Sequence, residues 1–331
     1  MFAMSVGNED ARAAALAAAA RHGLAPGSAL RLLNRSENTT FAHTDVDGQR
    51  SVLRVHRPGY HRRAQIESEL DWLAALRGDG EVAVPAVLAT PDGRRVVDVD
   101  TPAGRRQVVR FAFVDGAHPD AGAQTIEEFA TLGRITAALH DHAQRWRRPA
   151  SFDRFVWDWR HCLGDDPRWG RWEQAPGVSA HDRAVLTRVA GLLARRLADY
   201  GDGPDRFGLV HADLRAANLL IDDGEVTVID FDDSGFGWLL YDFGAAVSFV
   251  EDSPELGDWQ QAWVDGYRSR RELSTADEGM LASFVLLRRL LLLAWMGTHG
   301  HADEARALLA DYATGSVELA ERYLGSDGRQ L

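Results

Sequence analysis

The sequence predicts an α+β chain of two lobes, a small β-rich N-terminal lobe and a larger, mainly helical C-terminal lobe. Three observations carry this expectation. The 331 residues exceed what one hydrophobic core usually organises. Short alternating apolar segments, punctuated by turn residues, crowd the first third of the chain. After Gly116 the apolar spacing lengthens into helical stripes. The boundaries that follow are residues 1–109 for the first lobe, 110–118 for a hinge and 119–331 for the helical lobe.

Taken in order, residues 9–23 hold Ala and Leu at helix-favouring density and stop at Gly23, and Leu30 to Leu33 reads as a first strand. Phe41 to Val46 and Arg50 to His56 flank Asp47-Gly48, a pair that supplies the positive φ angles of a two-residue hairpin turn. Arg63 to Leu76 places Ile66, Leu70, Leu73 and Ala74 on one helical face. Strand-like patterns return at 82–89, 94–98 and 108–114. Helical patterns then cover 126–142, 179–200, 259–269, 277–296 and 302–324.

Composition narrows the function. With 45% hydrophobic and 26% charged residues the chain buries an ordinary core. A net charge of -12 argues against a broad phosphate-neutralising face, so no nucleic-acid partner is expected. The single cysteine, Cys162, can build neither an internal disulfide nor a thiolate cluster, and no secretion signal opens the chain, which gives a cytoplasmic expectation. Phe284 to Met296 is apolar but interrupted by Arg288-Arg289, so it reads as a buried helix and not a membrane span. The oligomeric state stays open.

The chemistry concentrates in Leu209-Val210-His211-Ala212-Asp213-Leu214-Arg215-Ala216-Ala217-Asn218-Leu219-Leu220, followed by Val226-Thr227-Val228-Ile229-Asp230-Phe231-Asp232-Asp233. Two apolar strands present polar groups at their ends. Phosphoryl transfer needs a carboxylate to accept the hydroxyl proton and oxygen ligands for the magnesium that neutralises the nucleotide phosphates. Asp213, Asn218 and Asp230 meet that requirement, and Arg215 lies close enough to offset charge on the transferring phosphoryl. A metal-dependent hydrolase fits poorly, because His211 is the one histidine close by.

The pattern His-x-Asp-x-x-x-x-Asn with a later Ile-Asp-Phe resembles the kinase-like phosphotransferase superfamily, which includes aminoglycoside phosphotransferases, choline kinases, type II homoserine kinases and bacterial stress-response kinases. The resemblance implies a bilobal protein-kinase-like fold. It implies Asp213 as catalytic base, Asn218 and Asp230 as magnesium ligands, His211 as a brace and Asp242 as an anchor of the loop backbone. It also implies that Arg54 stands where relatives carry a phosphate-binding lysine or arginine, oriented by Glu69, with Glu67 the weaker partner. The turn holding Ser36, Asn38 and Thr39 takes the place of a glycine-rich phosphate loop, and the segment with Phe111 and Phe113 matches a hinge for the purine edge. His140 resembles the end of a central helix, with a packing role. Ala212, Asp232 and the lack of an Ala-Pro-Glu segment depart from protein kinases.

The expected reaction moves the γ-phosphoryl of ATP or GTP to a hydroxyl of a small molecule: an amino alcohol, an aminocyclitol or aminoglycoside-like antibiotic, or a sugar. A Ser/Thr protein kinase of the stress-response type, or a non-catalytic nucleotide-binding module, is the alternative. On the acceptor side, Asp232 and Asp233 either hold a cationic substrate or bind solvent. Trp157, Trp159, Trp169 and Trp172, among Asp158, Asp165, Asp166 and Glu173, form either an acceptor wall or a structural cluster.

Overall fold

The computed structural model describes residues 2–25, 29–35, 38–120, 124–298 and 303–331. The chain forms two compact units. One holds residues 1–117 together with 147–154 and 220–232, and the other holds 118–146, 155–219 and 233–331. The first unit thus extends past residue 109 and gathers two later segments of the chain.

In the first unit, β1 (Ala29–Arg35), β2 (Thr39–Thr44), β3 (Arg50–Val55), β4 (Val96–Thr101) and β5 (Gly104–Ala112) form an antiparallel sheet in the order β1-β2-β3-β5-β4. Helix α1 (Phe2–Arg21) lays Ala11, Ala14, Ala15, Ala18 and Ala19 against Leu30, Phe41, Leu53, Val55, Val97 and Val108. Those alanines recur at helical spacing, and their small side chains let the helix lie close to the sheet. Helix α2 (Arg63–Asp79) ends at Gly80, whose φ of 72° makes a left-handed cap.

Two local expectations change. The β2–β3 connection is not a two-residue turn but spans residues 45–49, because Asp45 Oδ1 accepts from Asp47 N at 2.9 Å and from Gln49 N at 2.8 Å. Residues 82–89 form no regular strand and make only isolated bridges, Ala83 with Thr227 and Val87 with Phe111. Pro85 has no N–H to give to a ladder.

The returning segments are held by backbone pairing. The hairpin of β8 (Leu219–Asp222) and β9 (Glu225–Val228) turns at Asp223 and Gly224, both at positive φ. Ile221 N donates to Ala117 O at 2.9 Å, and Val228 N donates to Ala83 O at 2.9 Å. Asp153 N donates to Ser68 Oγ at 2.8 Å, which ties residues 147–154 to α2.

In the second unit, α3 (Ile126–Arg145) packs on α7 (Leu256–Arg268) with the backbones nearly touching. A Cβ on Gly133 would lie 2.0 Å from Trp263 O, so only glycine permits this approach. A small sheet sets β10 (Gly235–Trp238) between β6 (Val156–Trp157), parallel to it, and β7 (Phe207–Val210), antiparallel. The remaining helices are α4 (Trp159–Cys162), α5 (Ala180–Tyr200), α6 (Tyr241–Ala246), α8 (Thr275–Glu278), α9 (Leu281–Thr298) and α10 (Asp303–Gly325). The single helix expected at 277–296 is therefore divided, with Ser274 capping α8. The Thr275–Thr298 span is long and apolar enough to cross a bilayer, yet its apolar window is 94% buried in the fold, as befits a core helix.

Candidate active site

In the second unit, β7 delivers the chain to His211, after which Ala212 adopts a left-handed φ of 67°. A non-glycine residue holds that conformation only where its surroundings enforce it. Asp242, at the start of α6 and fully buried, supplies the constraint: its Oδ1 accepts from Ala212 N at 2.7 Å and its Oδ2 from His211 N at 3.2 Å. His140 Nε2 lies 3.1 Å from the same Oδ2, and its Nδ1 lies 3.0 Å from Tyr267 Oη. The buried carboxylate thus meets a donor at each oxygen.

The loop presents Asp213 with both oxygens engaged. Oδ1 accepts from Arg288 Nη2 at 2.6 Å, and Oδ2 accepts from Asn218 Nδ2 at 2.7 Å. Asn218 Nδ2 also donates to the Asp213 carbonyl at 2.7 Å, which fixes the amide with its nitrogen toward Asp213 and its oxygen turned away. Arg215 Nε stands 3.7 Å from Oδ2, with its guanidinium over the Phe249 ring at 5.3 Å. The structure therefore brings Asp213, Arg215, Asn218, His211 and Asp242 together around one loop.

Arg288 was not singled out by the sequence pattern. It is 2% exposed on α9, donates from Nε to Ser248 Oγ at 3.1 Å, and donates from Nη1 to Ala212 O at 3.2 Å and Tyr241 Oη at 3.1 Å. Burial disfavours its charge, but Tyr241 and Asp213 outweigh that and hold the guanidinium protonated. The adjacent Arg289 is equally buried and pairs with Glu251 at 2.7 Å. Two arginines inside an apolar run were the available signal, since buried guanidinia need partners.

In the first unit, Arg54 of β3 and Glu69 of α2 meet in a buried two-point contact, Nη2 to Oε1 at 2.6 Å and to Oε2 at 2.7 Å. Glu67 is taken up by Arg63 and Arg95 instead. Arg54 Nη1 stands 3.7 Å from Asp230 Oδ1. Burial works against the Arg54 charge, yet Glu69, Asp232 and Asp230 raise its pKa above the usual value. Asp230 has a left-handed φ of 63° and a side chain 43% exposed.

Asp232 behaves differently. It is 5% exposed, and its Oδ2 lies 2.9 Å from His61 Nε2. Burial pushes its carboxyl up, but His61, Arg54 and His56 prevail and hold it well below the usual carboxylate range. Its acid group is buried and engaged inside the unit. Asp233 is half-buried in the second unit, where its charge acts on both Tyr241 and Arg288.

Among the other expected contacts, Asn38 Oδ1 accepts from Arg57 N at 3.2 Å, and Thr39 opens β2, paired with Arg35 and Val55. Ser36 lies outside the described residues. Phe111 is buried in β5, 5.1 Å beneath the Arg54 guanidinium, and Phe113 follows the strand end under Arg50 at 4.2 Å. Trp157, Trp169 and Trp172 are core residues, and Trp159 is half-buried at the start of α4.

Residues 29–273 match the family model described as the phosphotransferase enzyme family. A solved structure of a microcompartment-associated aminopropanol kinase is 59% identical, covers 95% of this chain and 97% of its own, and superposes with a TM-score of 0.89. The amicoumacin kinase of Bacillus subtilis (strain 168) is 25% identical over 287 residues, 83% of this chain and 81% of its own. A solved amicoumacin kinase complex with AMP-PNP, Ca2+ and its antibiotic, 20% identical, shares the fold with a TM-score of 0.77 over 97% of this chain and 96% of its own. The fold is thus that of the kinase-like phosphotransferases, and the chain is a kinase with an alcohol group as acceptor. With its family model spanning the Asp213 loop, the Arg54–Glu69 pair and Asp230, this chain belongs to the phosphotransferase enzyme family.

Proposed function

We propose that this protein transfers the γ-phosphoryl of ATP to the hydroxyl of a small amino alcohol, aminopropanol or a close relative, with magnesium. The observation that carries the reading is 59% identity to an aminopropanol kinase across 95% of the chain. An AMP-PNP and Ca2+ complex of a more distant relative supports the nucleotide and the need for a divalent cation.

The donor set suits magnesium: the Asn218 amide oxygen is turned away from Asp213, and the Asp230 carboxylate is partly exposed. When bound, magnesium neutralises charge on the phosphates, and these two residues would hold it. Asp213 accepts the hydroxyl proton. Arg288 and Asn218 pin its two oxygens, so the carboxylate is oriented before the acceptor arrives. Arg54, aligned by Glu69, grips the nucleotide phosphates, while Arg215 offsets charge on the transferring group. The Asn38–Thr39 turn lies over the phosphates, and residues 111–113 receive the purine. Asp233, beside Arg288 and Tyr241, takes the ammonium of the acceptor.

The test is magnesium-dependent ATP turnover against aminopropanol, ethanolamine, homoserine, an aminoglycoside and a generic protein. Turnover stimulated by aminopropanol well above the other acceptors is expected. Stimulation by the protein acceptor alone would replace this reading with a protein kinase.

A further inference from the structure

Three buried side chains in the first unit form a cluster that none of the roles above uses. His56 ends the β3 segment two residues after Arg54, His61 precedes α2, and Asp232 follows Asp230 by two residues. They are 2%, 6% and 5% exposed. The His61 Nε2 to Asp232 Oδ2 distance is 2.9 Å, and His56 Nδ1 stands 3.7 Å from Oδ1. The two imidazoles meet edge to face with centroids 5.9 Å apart. Arg154 completes the surround, donating from Nη2 to the carbonyls of Phe231 (3.4 Å) and Asp232, and from Nη1 to Gln65 O at 2.9 Å.

A carboxylate this deeply buried is retained at a desolvation cost, so its partners hold it in one place. What it carries is short: Phe231, whose ring meets Trp72 edge to face at 5.2 Å, and then Asp230 in its left-handed turn beside Arg54. Asp232 is therefore the fixed end of the segment whose other end presents Asp230.

Resting on the phosphotransfer reading above, we propose that His61, with His56 behind it, is a positioning residue for phosphoryl transfer: through Asp232 it sets where Asp230 stands relative to the Arg54–Glu69 pair. The departure from the glycine of protein kinases thereby acquires a purpose, since a glycine offers no side chain to hold. A divalent ion among the three side chains is the competing use of the same donors. It is disfavoured because it would add positive charge next to Arg54 and Arg154, which already act on His56.

The test uses the full chain with His61→Ala, His61→Gln and His56→Gln, each checked for folding by circular dichroism. Calorimetry measures AMP-PNP binding with and without magnesium, and kinetics gives the magnesium dependence of turnover and the acceptor KM. His61→Ala is expected to weaken the magnesium complex of AMP-PNP about 10-fold or more, as loss of a residue supporting a metal ligand does. Metal-free AMP-PNP binding and the acceptor KM should stay within about two-fold. His61→Gln keeps a donor for Asp232 and should restore most of the loss. If His61→Ala does not fold, His56→Gln carries the same comparison with a smaller shift.

Equal losses with and without magnesium, or a His61→Gln as damaged as His61→Ala, would overturn the proposal. So would a stoichiometric transition metal in the purified wild-type protein that His61→Ala loses, which would make the cluster a metal site. Absence of transfer to every acceptor would remove the proposed substrate but leave the calorimetric comparison readable.

Discussion

Arg288 Nη2 lies 2.6 Å from Asp213 Oδ1, a charged contact between the middle of a buried helix and the carboxylate proposed to take the acceptor's proton. Where the transition state is loose and the proton moves late, orientation of the carboxylate matters more than its basicity. Ser248 accepts from Nε, and Ala212 O and Tyr241 Oη accept from Nη1, so the helix fixes the direction of the Asp213 carboxylate.

Replacing Arg288 by Met should lower kcat by about 100-fold, the size expected when a reacting group is misplaced by about 1 Å. It should also destabilise the fold by about 3–5 kcal/mol, because Asp213 loses its buried partner. Steady-state kinetics and thermal melting check the two parts separately. An unchanged kcat in a folded variant would contradict the positioning role.

Asp213→Asn should lower kcat by about 10²–10⁴, the usual contribution of a positioned general base. Nucleotide affinity should change little, since the side chain keeps its shape. Calorimetry with AMP-PNP beside turnover separates the effects, and weakened nucleotide binding with normal kcat would reverse the assignment.

Glu69→Gln leaves the buried Arg54 charge poorly partnered, so the nucleotide KM should rise and stability should fall by about 3–5 kcal/mol. Arg54→Lys should not behave as a conservative change, because an ammonium cannot make the two-point contact with Glu69. A KM measurement on both variants tests this, and a silent Arg54→Lys would contradict it.

Stability should fall as pH drops below about 6.5, the ordinary histidine value. His56 is held well below that value, by burial first and by Arg54 second, against the pull of Asp232 and with His61 and Arg154 adding to the depression. Between the two pKa values the unfolded chain binds a proton that the folded chain refuses, so each pH unit of descent costs about 1.4 kcal/mol. Urea unfolding at pH 7 and pH 5.5 should show the drop, and His56→Phe should reduce it. His22 and His43, also depressed by burial, leave a residual slope.

The sequence made legible what is local. The His-x-Asp-x-x-x-x-Asn spacing points to Asp213 and Asn218, and the structure joins them through one amide. The Arg54–Glu69 pair was implied by the resemblance, and the strand and the next helix that carry the two residues bring them together. Arg288 was hidden because its contact with Asp213 spans 75 residues and leaves no periodic trace. The cluster of His56 and His61 with Asp232 was hidden likewise, since only the return of residues 220–232 to the first unit brings Asp232 to them. The missing strand at 82–89 was readable in principle, as Pro85 forbids a regular ladder where alternation alone suggested one.

The most direct test is phosphorus NMR of the product formed from ATP, magnesium and aminopropanol by the wild-type protein and by Asp213→Asn. A phosphomonoester on the hydroxyl, formed by the wild type and nearly absent with Asp213→Asn, is the predicted result. A phosphoramidate on the amine, or the same ester at an undiminished rate with Asp213→Asn, would contradict the account.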